Sequence, residues 1–227
     1  LKGIQHGRRV DGLVLLYSRI DDELIDFLKE NQFPFSMVGK PYRNLEEITH
    51  VDNDNFKAAK EAADFLIELG HERIGFVGGG LDLVVTMDRL LGYEKAIRKA
   101  GLPYRNDYIV HQDFLQEGGR QAIIKLMSVD KPPTGFIVAD DMMALGIVNA
   151  LNEMNLSVPE DISIISFNNV LLARYSTPAL TSVDINIFQL GYTAADCLFQ
   201  IIDEDSLEPM RISIPYTIVK RQSCEKV

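Results

Sequence analysis

Residues 54–80 read DNFKAAKEAADFLIELGHERIGFVGGG, a helical pattern followed at once by a strand pattern. Asp54 or Asn55 supplies an N-cap; Ala59, Ala62, Ala63, Leu66 and Leu69 fall on one stripe at helical spacing; and Gly70 is the stop. The run RIGFVG from Arg73 is apolar without alternation, as in a strand covered on both faces. Working outward, the same unit recurs. Apolar runs GLVLLY from Gly12, FSMVG from Phe35, YIVH from Tyr108, GFIVA from Gly135, ISIISF from Ile162, LTSVDI from Leu180, RISI from Arg211 and YTIVK from Tyr216 are the other strands. Amphipathic stretches at about 21–30, 88–99, 117–127, 141–154 and 187–202 supply the helices. Strands alternating with helix-length crossovers predict an α/β fold with parallel sheets.

The 227 residues are 46% hydrophobic and 25% charged, the balance of a globular protein with a sizeable core, in one large or two small domains. Cys197 and Cys224 have no C-x-x-C spacing, which argues against a disulfide framework or a zinc site and makes a reducing cytoplasm the expected location. No apolar run approaches the ~20 residues of a membrane span, and residues 1–12 lack a secretory signal pattern. A net charge of −10 denies the chain the basic footprint of a nucleic-acid-binding surface.

In open parallel sheets, ligands bind outside the carboxyl ends of the strands. Those positions hold Tyr17-Ser18-Arg19, Gly39-Lys40, Gly78-Gly79-Gly80, His111 to Phe114, Asp140-Asp141 and Asn168-Asn169. Amides, carboxylates and rings together suit a neutral polyhydroxylated ligand, whose hydroxyls donate and accept while its C–H faces stack. Each feature has a plainer account. Asp141 is expected to cap a helix, Asn168-Asn169 to be a loop pair, Arg89 to be an exposed arginine, and Phe114 and Tyr17 to be core or edge aromatics. The triple glycine matches neither G-x-G-x-x-G nor G-x-x-x-x-G-K-[ST], so a nucleotide loop is weakly supported. Histidines at 6, 50, 71 and 111 show no metal-binding pairing, and no serine occupies a G-x-S-x-G elbow. A catalyst, a cofactor and a metal are all unexpected.

Three stretches, THVDNDNFKAAKEAADFLIELGHERIGFVGG from Thr49, FIVADDMMALGIVNALNEMNLSVPEDISIISFNN from Phe136 and ALTSVDINIFQLGYTAADCL from Ala179, resemble the effector-binding core of the lactose-repressor/galactose-repressor family of bacterial transcription regulators. IPYTIVKRQSC from Ile214 resembles that family's closing strand, and HVDNDN with IPYTIVKRQS looks most like maltose-operon repressors. The resemblance implies two Rossmann-like, doubly wound lobes of the type I periplasmic-binding-protein kind, one formed by residues 1–51 plus 185–214 and the other by 52–184 plus 215–227. Crossings would fall near Asp52, Asp184 and Pro215, with a small molecule between the lobes.

Carried over position by position, the resemblance implies an effector site of Arg89 from RLLGY, Phe114 after the fourth strand, Asp140 from VADD and Asn168 from SFNN. Asn168 stands where the family usually has aspartate, which removes a charge and adds donors. Leu16 and Ile185 stand at positions often polar in sugar-responsive members, with Tyr17 and Lys40 as substitutes. A family member also begins with a basic helix-turn-helix headpiece and a strand–helix–strand unit, so this chain is expected to begin at the end of a helix within an incomplete first lobe. The expected function is a sugar-sensing repressor core, for maltose or a malto-oligosaccharide, acting as a homodimer that meets operator DNA through that headpiece and touches no membrane. A sugar-binding component of a transporter is the alternative, and a sugar-processing enzyme is disfavoured by the missing catalytic groupings.

Overall fold

A computed structural model of the protein describes residues 10–203 and 208–227. The chain divides into two compact units, one of Leu1–Asn53, Asp82–Val85 and Ile187–Ile214, the other of Asp54–Leu81, Thr86–Asn186 and Pro215–Val227. The helix end expected ahead of Gly12 falls outside the described residues.

The first unit opens with β1 (Leu13–Leu15), α1 (Glu23–Glu30), β2 (Phe35–Val38) and β3 (His50–Asp52). Asp22 caps α1 by accepting from the Leu24 amide at 3.1 Å, which turns Ile25 and Leu28 inward. Ile25, Met37 and Ile48 form its core, with Leu15 and Phe35 against them. β3 was not among the expected strands; with Val51 as its one apolar residue it carries no hydrophobic run. Backbone pairing alone defines it, parallel to β2 on one side and on the other to β9 (Arg211–Ser213). The sheet order is β1-β2-β3-β9. Helix α7 (Ile187–Asp203) buries Leu190, Ala194 and Cys197, and the buried Ser36 hydroxyl of β2 donates to the Ala194 carbonyl at 2.6 Å.

The second unit holds α2 (Asn55–Glu68), β4 (Ile74–Gly78), α3 (Val84–Lys99) from Thr86 onward, β5 (Ile109–His111), α4 (Gln116–Met127), β6 (Gly135–Val138), α5 (Asp141–Glu153), β7 (Ser163–Phe167), α6 (Leu171–Tyr175), β8 (Thr181–Asp184) and β10 (Thr217–Val219). Asp54 is the cap of α2, and Gly70 adopts φ +97° where the chain leaves that helix. α3 starts a turn earlier than its sequence pattern suggests, and α6 is too short to show a period.

The sheet order in this unit is β10-β8-β7-β6-β4-β5, parallel throughout except for β10 at one edge. Every residue of β4, β6 and β7 is buried, as their unbroken apolar runs require. Alternate residues feed opposite faces. Phe136, Val138 and Ile164 join Ile123, Leu126 and Ile147 on one side; Phe76, Ile137, Ile165 and Phe167 join Ala59, Ala62, Leu66 and Tyr93 on the other. Each fully buried phenylalanine contributes about 1.5–3 kcal/mol of burial free energy. On the first side α4 and α5 approach at backbone contact, because a Cβ on Gly119 would overlap the Met143 carbonyl oxygen and one on Gly146 the Gln116 carbonyl oxygen.

Candidate functional site

Arg89 owes its position to Gly92, three residues on in α3. A Cβ at Gly92 would overlap the Phe56 carbonyl oxygen and lie 3.0 Å from the Lys60 nitrogen, so glycine lets α3 lie directly on the first turns of α2. From there Arg89 Nε donates to Asn55 Oδ1 at 2.9 Å and Nη1 to the Ala139 carbonyl at 2.9 Å. The guanidinium sits 4.0 Å over the Phe167 ring, and the residue is 4% exposed. It is therefore not the surface arginine of the plainer account. A buried guanidinium is tolerable only where acceptors and a π face replace water, and all three are present.

Asp140 follows β6 with an extended backbone. Its Oδ1 accepts from the Met142 and Met143 amides at 2.7 and 3.2 Å, and its Oδ2 accepts from Asn168 Nδ2 at 2.9 Å. Burial pushes this carboxyl above the usual range, opposed by the two amides, Asn168 and the Arg89 charge. Capping was expected of Asp141, and the structure corrects this by one residue. Asp140 is the half-in residue whose side chain folds back onto the helix amides, whereas Asp141 is 0% exposed and accepts from Ser166 Oγ at 2.5 Å, Ser182 Oγ at 2.8 Å and the Val170 amide at 2.8 Å. It ties β7, β8 and the start of α6 together.

Asn168 and Asn169 both adopt left-handed backbone, at φ 98° and 52°, where asparagine is among the few tolerated side chains. Asn169 is more than a loop residue: it donates to Asp184 Oδ2 at 3.0 Å and accepts from Arg221 Nη2 at 2.6 Å. Asn168 turns back toward β6, so Arg89, Asp140 and Asn168 form one connected cluster at the carboxyl ends of β6 and β7. Phe114, 38% exposed, stands beyond β5 at the same edge of the sheet and lies against the Gly79 backbone. From β7 through β6 and β4 to β5 the row spans three strand spacings, roughly 14 Å.

Tyr17 and Lys40 belong to the first unit. Tyr17 is 54% exposed with the Arg19 guanidinium 5.4 Å from its ring centre, and the Lys40 amide donates to Asp52 Oδ2 at 3.2 Å. Leu16 is 71% exposed, while Ile185 packs half-buried on the core of the second unit. Sequence reasoning missed Asn55 as the partner of Arg89, Asp141 as a buried tie, and His111, whose Nδ1 donates to the Gly79 carbonyl at 2.9 Å. The strand-end rule had put His111 and Asp141 in view; for Asn55 there was no signal. Among the described residues no group of three histidine, cysteine, aspartate or glutamate side chains could hold a metal ion, and no helix is long and apolar enough to cross a membrane.

A doubly wound unit with polar groups and an open ring at its strand ends is the architecture of a small-molecule-binding protein, and residues 63–224 match the periplasmic binding protein-like domain family. The chain is 37% identical over 205 residues to the HTH-type transcriptional regulator MalR of Streptococcus pneumoniae serotype 4, covering 88% of this chain and 58% of that protein. A LacI transcriptional regulator structure from Bacillus cereus subsp. cytotoxis superposes with a TM-score of 0.97 at 46% identity, over 100% of this chain and 80% of that one. The CelR–cellobiose complex superposes at 0.91 with 30% identity, over 97% and 68%. This chain belongs to the lactose-repressor/galactose-repressor family of transcriptional regulators. It spans 58% to 65% of the length of the first curated relatives it matches.

Proposed function

We propose that this chain is the effector-binding and dimerisation core of a cytoplasmic bacterial repressor, that its effector is maltose or a malto-oligosaccharide, and that operator DNA is met through a headpiece outside these residues. The observation that carries the sugar reading is the row at the strand ends of the second unit: the buried Arg89 with the half-buried Asp140 and Asn168, beside a partly exposed phenylalanine. Hydroxyl pairs on a sugar find donors and acceptors on the cluster, and the C–H face of a pyranose stacks on Phe114. The likeness by structure to a cellobiose-bound regulator supports a sugar as the ligand class. Binding biases the conformational equilibrium of the whole protein and so alters operator affinity.

Calorimetry of the intact protein with maltose and maltotriose tests this. Losing a buried hydrogen-bond partner costs about 1–3 kcal/mol, so Arg89→Ala weakens binding about 5- to 150-fold. Unchanged affinity in that variant removes the site; no heat with any maltose-series sugar leaves the family and sinks the effector. Asp140→Ala is a poorer probe, because it also removes the cap of α5, a loss of about 0.5–2 kcal/mol in stability.

A further inference from the structure

Phe114 sits in the loop between β5 and α4, where a ring has two torsions to settle and no regular element to settle them. What it rests on is Gly79, just past the end of β4. A Cβ placed on Gly79 would lie 2.7 Å from Cε2 and 2.9 Å from Cε1 of Phe114, and closer still to Cζ; its three nearest atoms all belong to that ring. Gly79 is not among the residues with positive φ, so its backbone would accept any side chain. Any Cβ there would have to push the ring aside.

The seat is itself held. His111 Nδ1 donates to the Gly79 carbonyl, and the Gln112 amide donates to the Gly78 carbonyl at 3.0 Å. The neighbouring glycine makes room for this histidine: a Cβ on Gly78 would lie 2.9 Å from His111 Nδ1 and 2.7 Å from Cε1 of the buried Phe76. His111 in turn lies 6.3 Å from the Phe76 ring. A chain of contacts thus runs from the core through His111 to the Gly79 peptide and out to Phe114.

We propose that Gly79 is a positioning residue for the effector: its bare backbone, fixed by His111, is the seat that holds the Phe114 ring with one face on protein and the other open to a pyranose. The claim rests on the sugar-binding reading above and adds how its stacking surface is set. It gives the triple glycine a role unrelated to phosphate.

The test uses the full-length protein with 4-fluorophenylalanine at position 114 and a fluorine NMR readout that needs no ligand. Gly79→Ala displaces the ring and moves the resonance toward that of the free amino acid; an unmoved resonance overturns the seat. Calorimetry with maltose supplies the coupling. Gly79→Ala and Phe114→Ala each weaken binding at least about fivefold, and the double variant binds no more weakly than Phe114→Ala alone; factors that multiply overturn the proposal. Melting separates a folding defect, because alanine at 79 leaves the Phe114→Ala protein's melting temperature unchanged once no ring opposes it. A parent protein that binds no maltose-series sugar defeats the effector reading, and the fluorine resonance still decides the seat.

Discussion

Asn168 donates its side-chain amide to Asp140, the residue that caps α5, across the ends of two adjacent parallel strands. One carboxylate oxygen of Asp140 serves the helix and the other serves the neighbouring strand end, so the local fold and the candidate site share a single side chain. The neutral amide of Asn168 thus supplies a donor to a carboxylate that burial already makes costly to ionise.

Asn168→Asp therefore sets two carboxyls within hydrogen-bond reach, where one of them retains a proton. A carboxyl whose folded pKa exceeds its unfolded value gives stability below the unfolded value, near 4, and loses it as pH rises through the folded value. Urea unfolding is expected to show the variant less stable than the parent by about 1–3 kcal/mol at pH 7, with the gap narrowing toward pH 4. A gap that is constant with pH would falsify the pairing as drawn.

Asp141 binds no ligand in this reading, yet its replacement is expected to be the more damaging. Asp141→Ala strands the buried hydroxyls of Ser166 and Ser182 and the half-buried Val170 amide. Each buried donor left unmade costs about 1–3 kcal/mol, reduced where water enters. A loss of at least about 3 kcal/mol in the unfolding free energy is expected, against about 0.5–2 kcal/mol for Asp140→Ala, which loses a cap. The reverse ranking would return the capping role to Asp141.

The central strands of the second unit were legible because burial on both faces demands unbroken apolar runs, and GFIVA and ISIISF have no other economical reading. β3 was not legible. His50–Asp52 is a strand because β2 and β9 flank it, a long-range fact that three residues do not encode. At the site, Arg89 and Asn168 came into view through the motifs around them, and the strand-end rule named their neighbourhood. The exchange of roles between Asp140 and Asp141 turns on which residue is the last extended one before a helix, a one-residue difference below the resolution of pattern reading. The Phe114 ring on Gly79 joins residues from two loops, and no periodicity connects them.

Close helix contact in the second unit rests on two reciprocal glycines. Gly119 of α4 faces the Met143 carbonyl and Gly146 of α5 faces the Gln116 carbonyl. The obstruction at each is backbone inside a packed core, so a methyl group cannot be absorbed by rotating a side chain, and overpacking of this kind costs about 1–3 kcal/mol or more. Gly119→Ala and Gly146→Ala are each expected to lower the melting temperature by several degrees, at roughly 2–4 °C per kcal/mol for a chain of this size. Because both separate the same pair of helices, the double variant should lose less than the sum; strict additivity would mean that the two contacts are independent.

The last expectation concerns acid. His71 is buried at the amino-terminal end of β6, with Nδ1 2.9 Å from Thr134 Oγ1 and its ring packed where a Cβ on Gly135 would come within 3.2 Å. Burial lowers its pKa from the ordinary histidine value of 6.5, and the nearby Glu225 backbone opposes that only in part. The folded protein then binds fewer protons at this residue than the unfolded chain does. Stability from the neutral ring is present above the unfolded value and is lost as pH falls below it toward the folded one. The half-buried Asp140 and the buried Asp141, whose pKa values are raised, act in the opposite direction as pH falls, so the parent protein alone does not isolate the histidine. Urea unfolding of the parent and of His71→Gln at pH 7 and pH 5.5 does. The parent should lose more stability between the two pH values than the variant, which has no proton to take up at that position, and equal losses would place the acid sensitivity elsewhere.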